Sequence, residues 1–152
     1  MALMTLTPAE ARELEGRELG VTDWKEVTQE LVDLFARATG DRQWIHTDPE
    51  RAARESPFRR TIAHGYFTLA LVPAFFYELL EVRDCRMLIN FGANEVRWPA
   101  PVPVPSRVRL RARIAEVENT SRSFTLHVEA TIEVEGQAKP AMNARVLFRY
   151  YV

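Results

Sequence analysis

Cysteine and lysine are scarce in this chain, and it has neither a sizeable net charge nor an uninterrupted apolar run long enough to cross a bilayer. Cys85 is the sole cysteine, which excludes an intramolecular disulfide and a cysteine-built zinc cluster and fits a reducing, cytoplasmic setting. The formal net charge of −1 supplies no clustered basic excess for neutralising phosphates, so no nucleic-acid partner is expected. Lys25 and Lys139 are the only lysines among 20 basic residues; the rest are arginines, whose forks suit phosphate or carboxylate but also furnish ordinary strand surfaces. The N-terminal stretch MALMTLTPAEARELEG has no basic start followed by an apolar core, so no secretion signal is expected. The greasiest segment, Ile62 to Leu80, is interrupted by His64, Gly65, Thr68, Pro73 and Glu78. It falls short of the ~20 apolar residues a membrane span requires.

What is present is an ordinary globular composition, 47% hydrophobic and 27% charged, over 152 residues. That length fits one domain, residues 1–152, able to bury a core without disulfides or metal. No internal repeat interrupts it. Thr7-Pro8 followed by Ala-Glu-Ala suits a short helix, and residues 20–27 suit a first strand or a bent one. From Thr28, an N-cap, Leu31, Leu34, Phe35 and Ala38 recur with helical spacing until Gly40, which tolerates the left-handed conformation that ends helices. A second short helix opens at Asp48-Pro49. Ile62 to Leu80 predicts one long helix, apolar on nearly every face and therefore buried, bent at Pro73, which deprives the Leu69 carbonyl of its usual donor.

After Arg83 the period becomes two. MLINF and the following NEVRWPAPVPVP predict a strand that ends in a proline-rich bend. Val108, Leu110, Ala112 and Ile114 alternate with four arginines, and Phe124 to Val134 alternate with Thr125, His127, Glu129, Thr131 and Glu133. Residues 118–122 make the hairpin turn between them and Glu135-Gly136 marks another, with a last strand near Asn143 to Val152. Arginines facing glutamates across the ladder account for both sets of charges, and His127 is expected among them as a surface residue. A sheet with one apolar face and a single greasy helix to cover it predicts an α+β fold, a curled antiparallel sheet wrapped around a long central helix.

The chemistry-bearing residues cluster in one stretch. Asp41 and His46 share a polar turn, where a carboxylate and an imidazole can hold and polarise a water. The same residues are also an ordinary turn cap and an ordinary structural histidine. Gly65, at the mouth of the apolar helix, offers an unhindered N–H to a developing oxyanion, or simply permits close packing.

TGDRQWIHTDPERA followed by TIAHGYFTLAL resembles the signature of the MaoC-like dehydratase family, the (R)-specific enoyl-CoA hydratases, and its NodN-like branch most closely. NEVRWPAPVPVPSRVRLRARI is similar to the Arg-aromatic-Pro bend and strand of the same family, so the resemblance runs over nearly the whole chain. It implies a hotdog fold and a homodimer joined edge to edge, with Asp41 and His46 as the catalytic pair and Gly65 as donor to the thioester carbonyl. It implies no metal and no redox cofactor, the CoA thioester being the substrate. The expected reaction is addition of water to C3 of a trans-2-enoyl-CoA, giving the (3R)-hydroxyacyl-CoA. An acyl-CoA thioesterase and a non-catalytic acyl-CoA binding module remain alternatives, since one fold hosts all three.

Two positions depart from the family pattern. Gln43-Trp44 stand where relatives carry Asn-Pro, and Ala70 stands where they often carry serine, leaving Thr68 or Gln43 to orient Asp41. Trp44, Tyr66, Phe67, Phe75 and Phe76 are candidates for an acyl tunnel, though aromatic residues on a buried helix are more often plain core. Arg59 and Arg60 are candidates for the CoA phosphates and equally a solvated pair. His64 is expected to be a helix-start or packing residue.

Overall fold

In the computed structural model, which describes residues 3–152, the chain opens with β1 (Met4–Leu6) and the one-turn helix α1 (Pro8–Ala11). Thr7 and Glu10 cap α1 reciprocally: Thr7 Oγ1 accepts from the Glu10 amide while Glu10 accepts from the Thr7 amide. That contact holds the Glu10 carboxyl below the usual carboxylate range. The expected first strand is two short pieces, β2 (Glu18–Val21) and β3 (Lys25–Val27), both antiparallel to the same later strand. Between them Thr22 is buried, its hydroxyl accepting from the Leu110 amide.

α2 (Gln29–Thr39) starts and stops where its residue types dictate. Thr28 accepts from the Leu31 amide, and Gly40 ends the helix at φ 84°. A single turn, α3 (Trp44–Thr47), and then α4 (Pro49–Glu55), capped by Asp48, follow. The predicted long helix is two helices, α5 (Gly65–Ala70) and α6 (Val72–Leu79), meeting at Leu71. Pro73 does not bend a continuous helix; it lies in the first turn of the second one, where its missing N–H has no intrahelical acceptor to lose. Nor is the pair apolar on all sides in effect, because Tyr66 (69% exposed) and Tyr77 face outward.

β4 (Leu80–Val82) returns to pair in parallel with β1, a contact between chain segments more than seventy residues apart. β5 (Met87–Arg97), β6 (Ser106–Asn119), β7 (Ser123–Val134) and β8 (Met142–Tyr151) complete the main sheet, in the order β2-β6-β7-β8-β5 with β3 also on β6. Every pairing in it is antiparallel. The inner face read from β6 and β7 holds: Val108, Leu110, Ala112, Ile114, Phe124, Leu126, Val128, Ala130, Ile132 and Val134 are all buried in one core with α6, while the opposite face of β7 is covered as well at Thr125 and His127. Phe76 of α6 stacks on Phe148 of β8 at 4.3 Å, and Phe75 beside it is fully enclosed. Side chains of this size contribute about 1.5–3 kcal/mol each when buried, which is what keeps the sheet curled around the helix pair.

On the outer face Arg109 and Arg111 both reach Glu133, at 2.7 and 2.9 Å, and Arg113 and Arg145 both reach Glu129. Burial alone would raise the Glu133 pKa, but the two arginines outweigh it and hold the carboxyl below its ordinary range. His127 corrects an expectation. It is 8% exposed, walled in by Glu116 and Glu118 from β6, and its Nε2 sits 3.2 Å from a Glu118 oxygen without an aligned hydrogen bond. Long neighbouring side chains, which strand alternation does not register, cover it.

Candidate active site

Residues 61–63 form a strap that organises the site. Its amides and carbonyls are fixed on both sides: the Ile62 amide donates to the Ile45 carbonyl at 3.0 Å, the Ala63 amide to Val102 at 2.9 Å, and the Val104 amide to Thr61 at 3.0 Å. Gln29 of α2 locks the other end, accepting from the Thr61 hydroxyl at 2.6 Å and donating to the His46 carbonyl at 2.7 Å and to Asp33 at 2.9 Å.

His46, on α3 and 7% exposed, directs Nδ1 at the Ile62 carbonyl, 2.7 Å away. A carbonyl only accepts, so Nδ1 carries the proton and Nε2 keeps its lone pair. Burial pushes the His46 pKa below the ordinary histidine value; the Ile62 contact and Asp41 oppose this, and the neighbouring His64 adds to it. The ring is therefore a neutral base at neutral pH. His64 stacks on it, ring centres 3.9 Å apart and planes 26° apart, and its Nε2–H donates to the Asp41 backbone carbonyl at 2.9 Å.

Asp41 is exposed at the end of the Gly40 turn. An Asp41 carboxylate oxygen and one nitrogen from each of His46 and His64 lie within 4.8 Å of one another. Two histidines and a carboxylate are a donor set suited to a divalent transition metal. One nitrogen of each ring is already engaged, which leaves His46 Nε2 and His64 Nδ1 beside the Asp41 carboxylate.

A cleft of about 280 Å³ opens beside His46, lined by Phe58, Ile62, Gly65, Thr68, Trp98 and the Pro99–Val102 turn among others. Gly65 is the first residue of α5, so its N–H has no intrahelical acceptor. The Trp98 indole lies against its α-carbon and donates from Nε1 to its carbonyl at 2.9 Å.

The structure thus brings Asp41 and His46 together and puts Gly65 beside His46 in one cleft. The remaining candidates lie elsewhere. Gln43 is exposed, and its amide lies 3.4 Å from Asp41 Oδ1. Trp44 is covered by the Arg51 guanidinium at 4.4 Å, Tyr66 faces outward against Trp98, and Phe67, Phe75 and Phe76 belong to the core. Arg59 is an exposed loop residue at φ 58°, and Arg60 lines a separate hollow with Ser106 and Gln137. Residue-by-residue reading gave no role to Trp98, Gln29 or the Ile62 carbonyl. Trp98 at least stands in the Arg-aromatic-Pro bend; a backbone carbonyl leaves no mark in sequence.

Comparison with known proteins converges on one family. The MaoC like domain matches residues 10–138. The 3-hydroxyacyl-thioester dehydratase Z of Mycobacterium tuberculosis is 49% identical over 136 residues, 89% of this chain and 89% of its own length. Nodulation protein N of Rhizobium leguminosarum bv. viciae is 43% identical over 131 residues, 85% of this chain and 81% of its own. Among solved structures, the (R)-hydratase from A. caviae superposes with a TM-score of 0.71 over 88% of this chain and 94% of its own, at 20% identity. The fold is the hotdog fold expected from the resemblance.

Proposed function

Because the chain belongs to the MaoC-like dehydratase family and is a hydro-lyase, we propose that it acts as an (R)-specific enoyl-CoA hydratase, interconverting trans-2-enoyl-CoA and (3R)-hydroxyacyl-CoA. The observation that carries this reading is the bond from His46 Nδ1–H to the Ile62 carbonyl, which leaves Nε2 as a neutral base at the cleft that also holds Gly65. In the proposed step a water held between Asp41 and His46 gives its proton to the pair as its oxygen bonds to C3. The pair returns a proton to C2, and the Gly65 N–H meets the charge building on the thioester oxygen. No metal or redox cofactor enters this mechanism.

The acyl-CoA substrate follows from the reaction. The cleft lining of Phe58, Ile62, Trp98 and Val102 supports an apolar acyl chain entering beside His46. A homodimer is part of the same reading. β5 is an edge strand paired only with β8 among the described residues, and it exposes Met87, Ile89 and Phe91, an edge that a second copy would cover. No helix among the described residues is long and apolar enough to cross a membrane.

The deciding experiment follows the loss of enoyl absorbance with crotonyl-CoA and longer trans-2-enoyl-CoA substrates. His46→Gln and Asp41→Asn, folded by circular dichroism, are each expected to lose ~10² to 10⁴ in rate. Parental rates in both variants refute the assignment. Absorbance loss accompanied by release of free CoA thiol marks a thioesterase, and binding with neither marks a non-catalytic module.

A further inference from the structure

His64 occupies the N-cap position of α5, where serine, threonine, aspartate or asparagine ordinarily accepts from the first-turn amides. Its side chain makes no capping bond. The ring turns away to stack on His46 and to donate from Nε2 to the Asp41 carbonyl, while Phe35 packs against it at 5.0 Å. Its Nδ1 is left buried without a partner, in a residue only 2% exposed. A large ring with an unsatisfied buried nitrogen is a poor choice for a helix start on stability grounds alone.

The turn that carries Asp41 is anchored at both ends, by the Gly40 amide on the Ala36 carbonyl at 2.9 Å and by the His46 amide on the Gln43 carbonyl at 3.0 Å, with Thr47 Oγ1 donating to the Arg42 and Gln43 carbonyls. Asp41's own further bonds are long: its amide to Thr39 Oγ1 and the Gln43 amide to its Oδ1, both 3.4 Å. The 2.9 Å bond from His64 is the short one that Asp41 itself makes.

We propose that His64 is a positioning residue of the site: its Nε2–H fixes Asp41 against the His46 ring. This rests on the hydratase reading above. His64 touches no reacting atom; it acts through Asp41.

Three substitutions test this role. His64→Gln keeps a donor near the Nε2 position, His64→Phe keeps a ring without a donor, and His64→Asn supplies a short capping side chain. In the phenylalanine and asparagine variants kcat is expected to fall on the order of 10²-fold, the loss that a misplacement of about 1 Å produces. KM is expected to stay within about threefold in these variants, because ground-state binding is not what is removed. The glutamine variant recovers most of the loss. The asparagine variant unfolds at no lower urea concentration than the parent, so its lost activity is not lost stability. Parental kcat in His64→Phe, or a His64→Gln variant as slow as His64→Phe, overturns the proposal.

A readout without substrate keeps the two readings distinct. The Asp41 carbonyl ¹³C resonance is expected to move upfield in His64→Phe, where the hydrogen bond is gone, and to stay in His64→Gln. An unmoved resonance in His64→Phe overturns the tether whatever the activity. A moved resonance in a protein whose parent form hydrates no enoyl thioester overturns the hydratase reading alone.

Discussion

Replacing Gly65 by alanine isolates the contact that shapes the cleft. Gly65 is helical with no positive φ, so alanine meets no backbone strain and gains up to about 1 kcal/mol of helix preference. The added methyl, however, would stand 2.9 Å from Trp98 Cε2 and 3.0 Å from Cδ2. The indole must retreat by several tenths of an ångström or more, which strains or breaks its bond to the Gly65 carbonyl, a net ~0.5–1.5 kcal/mol. Overpacking adds about 1–3 kcal/mol, towards the lower end here because Trp98 is 39% exposed and has room to move. The balance is a loss of roughly 1–2 kcal/mol once the helix gain is subtracted. Urea unfolding followed by tryptophan fluorescence and circular dichroism measures it. The same substitution in a Trp98→Ala background has no ring to displace, so there it is expected to be neutral or slightly stabilising. An equal cost in both backgrounds refutes the argument, because the loss then comes from something other than the indole.

The His46 pKa, held below the ordinary ~6.5, places the acid limb of kcat/KM below that pH, with activity flat from there to neutrality; a limb centred above 6.5 contradicts a buried neutral base. The same group makes stability pH-dependent. The unfolded chain takes up this proton near the ordinary value, so stability present above it is lost as pH falls through the lower folded-state pKa, readable as a falling urea midpoint. Gln29→Leu strips the His46 carbonyl and the Thr61 hydroxyl of a partner at a partly buried site and is expected to cost about 1–3 kcal/mol in urea unfolding; a cost near zero shows that water replaces the amide there. Ile89→Lys puts a charge on the open edge of β5, and sedimentation of a parental dimer is expected to revert to monomer mass; an unchanged mass places the interface elsewhere.

Much of this molecule is local, and the local part is legible. Thr28 and Gly40 delimit α2 because capping hydroxyls and left-handed glycines act within a few residues of themselves. Alternation gave the inner and outer faces of β6 and β7 because a one-residue slip would bury the wrong side of both. Most of the unread features depend on other parts of the chain. β1 meets β4 across the molecule in a three-residue pairing with no pattern of its own. Leu71 interrupts the predicted long helix where Pro73 opens a new one. His127 is covered by Glu116 and Glu118, and Trp98, in the bend just past β5, lies against Gly65 from thirty-three residues away.

The site itself shows why its residues are recognisable while its construction is not. Along residues 62–65 three positions each meet a different part: the Ile62 carbonyl accepts from His46 Nδ1, the His64 ring donates to the Asp41 carbonyl, and Gly65 opens α5 with an amide that has no intrahelical acceptor. Two of these three grips use backbone atoms, which any residue type possesses. Side-chain chemistry therefore reveals Asp41 and His46 but not what aims them. The strap can serve as a common reference because it is bonded to Ile45 on one side and to Val102 on the other. A shift of the strap would move all three groups together and preserve their mutual geometry, whereas a change at a single grip displaces one group against the others. Rate is most sensitive to that second kind of error, which is why the grips, more than the strap's own side chains, are where the chemistry is exposed to substitution.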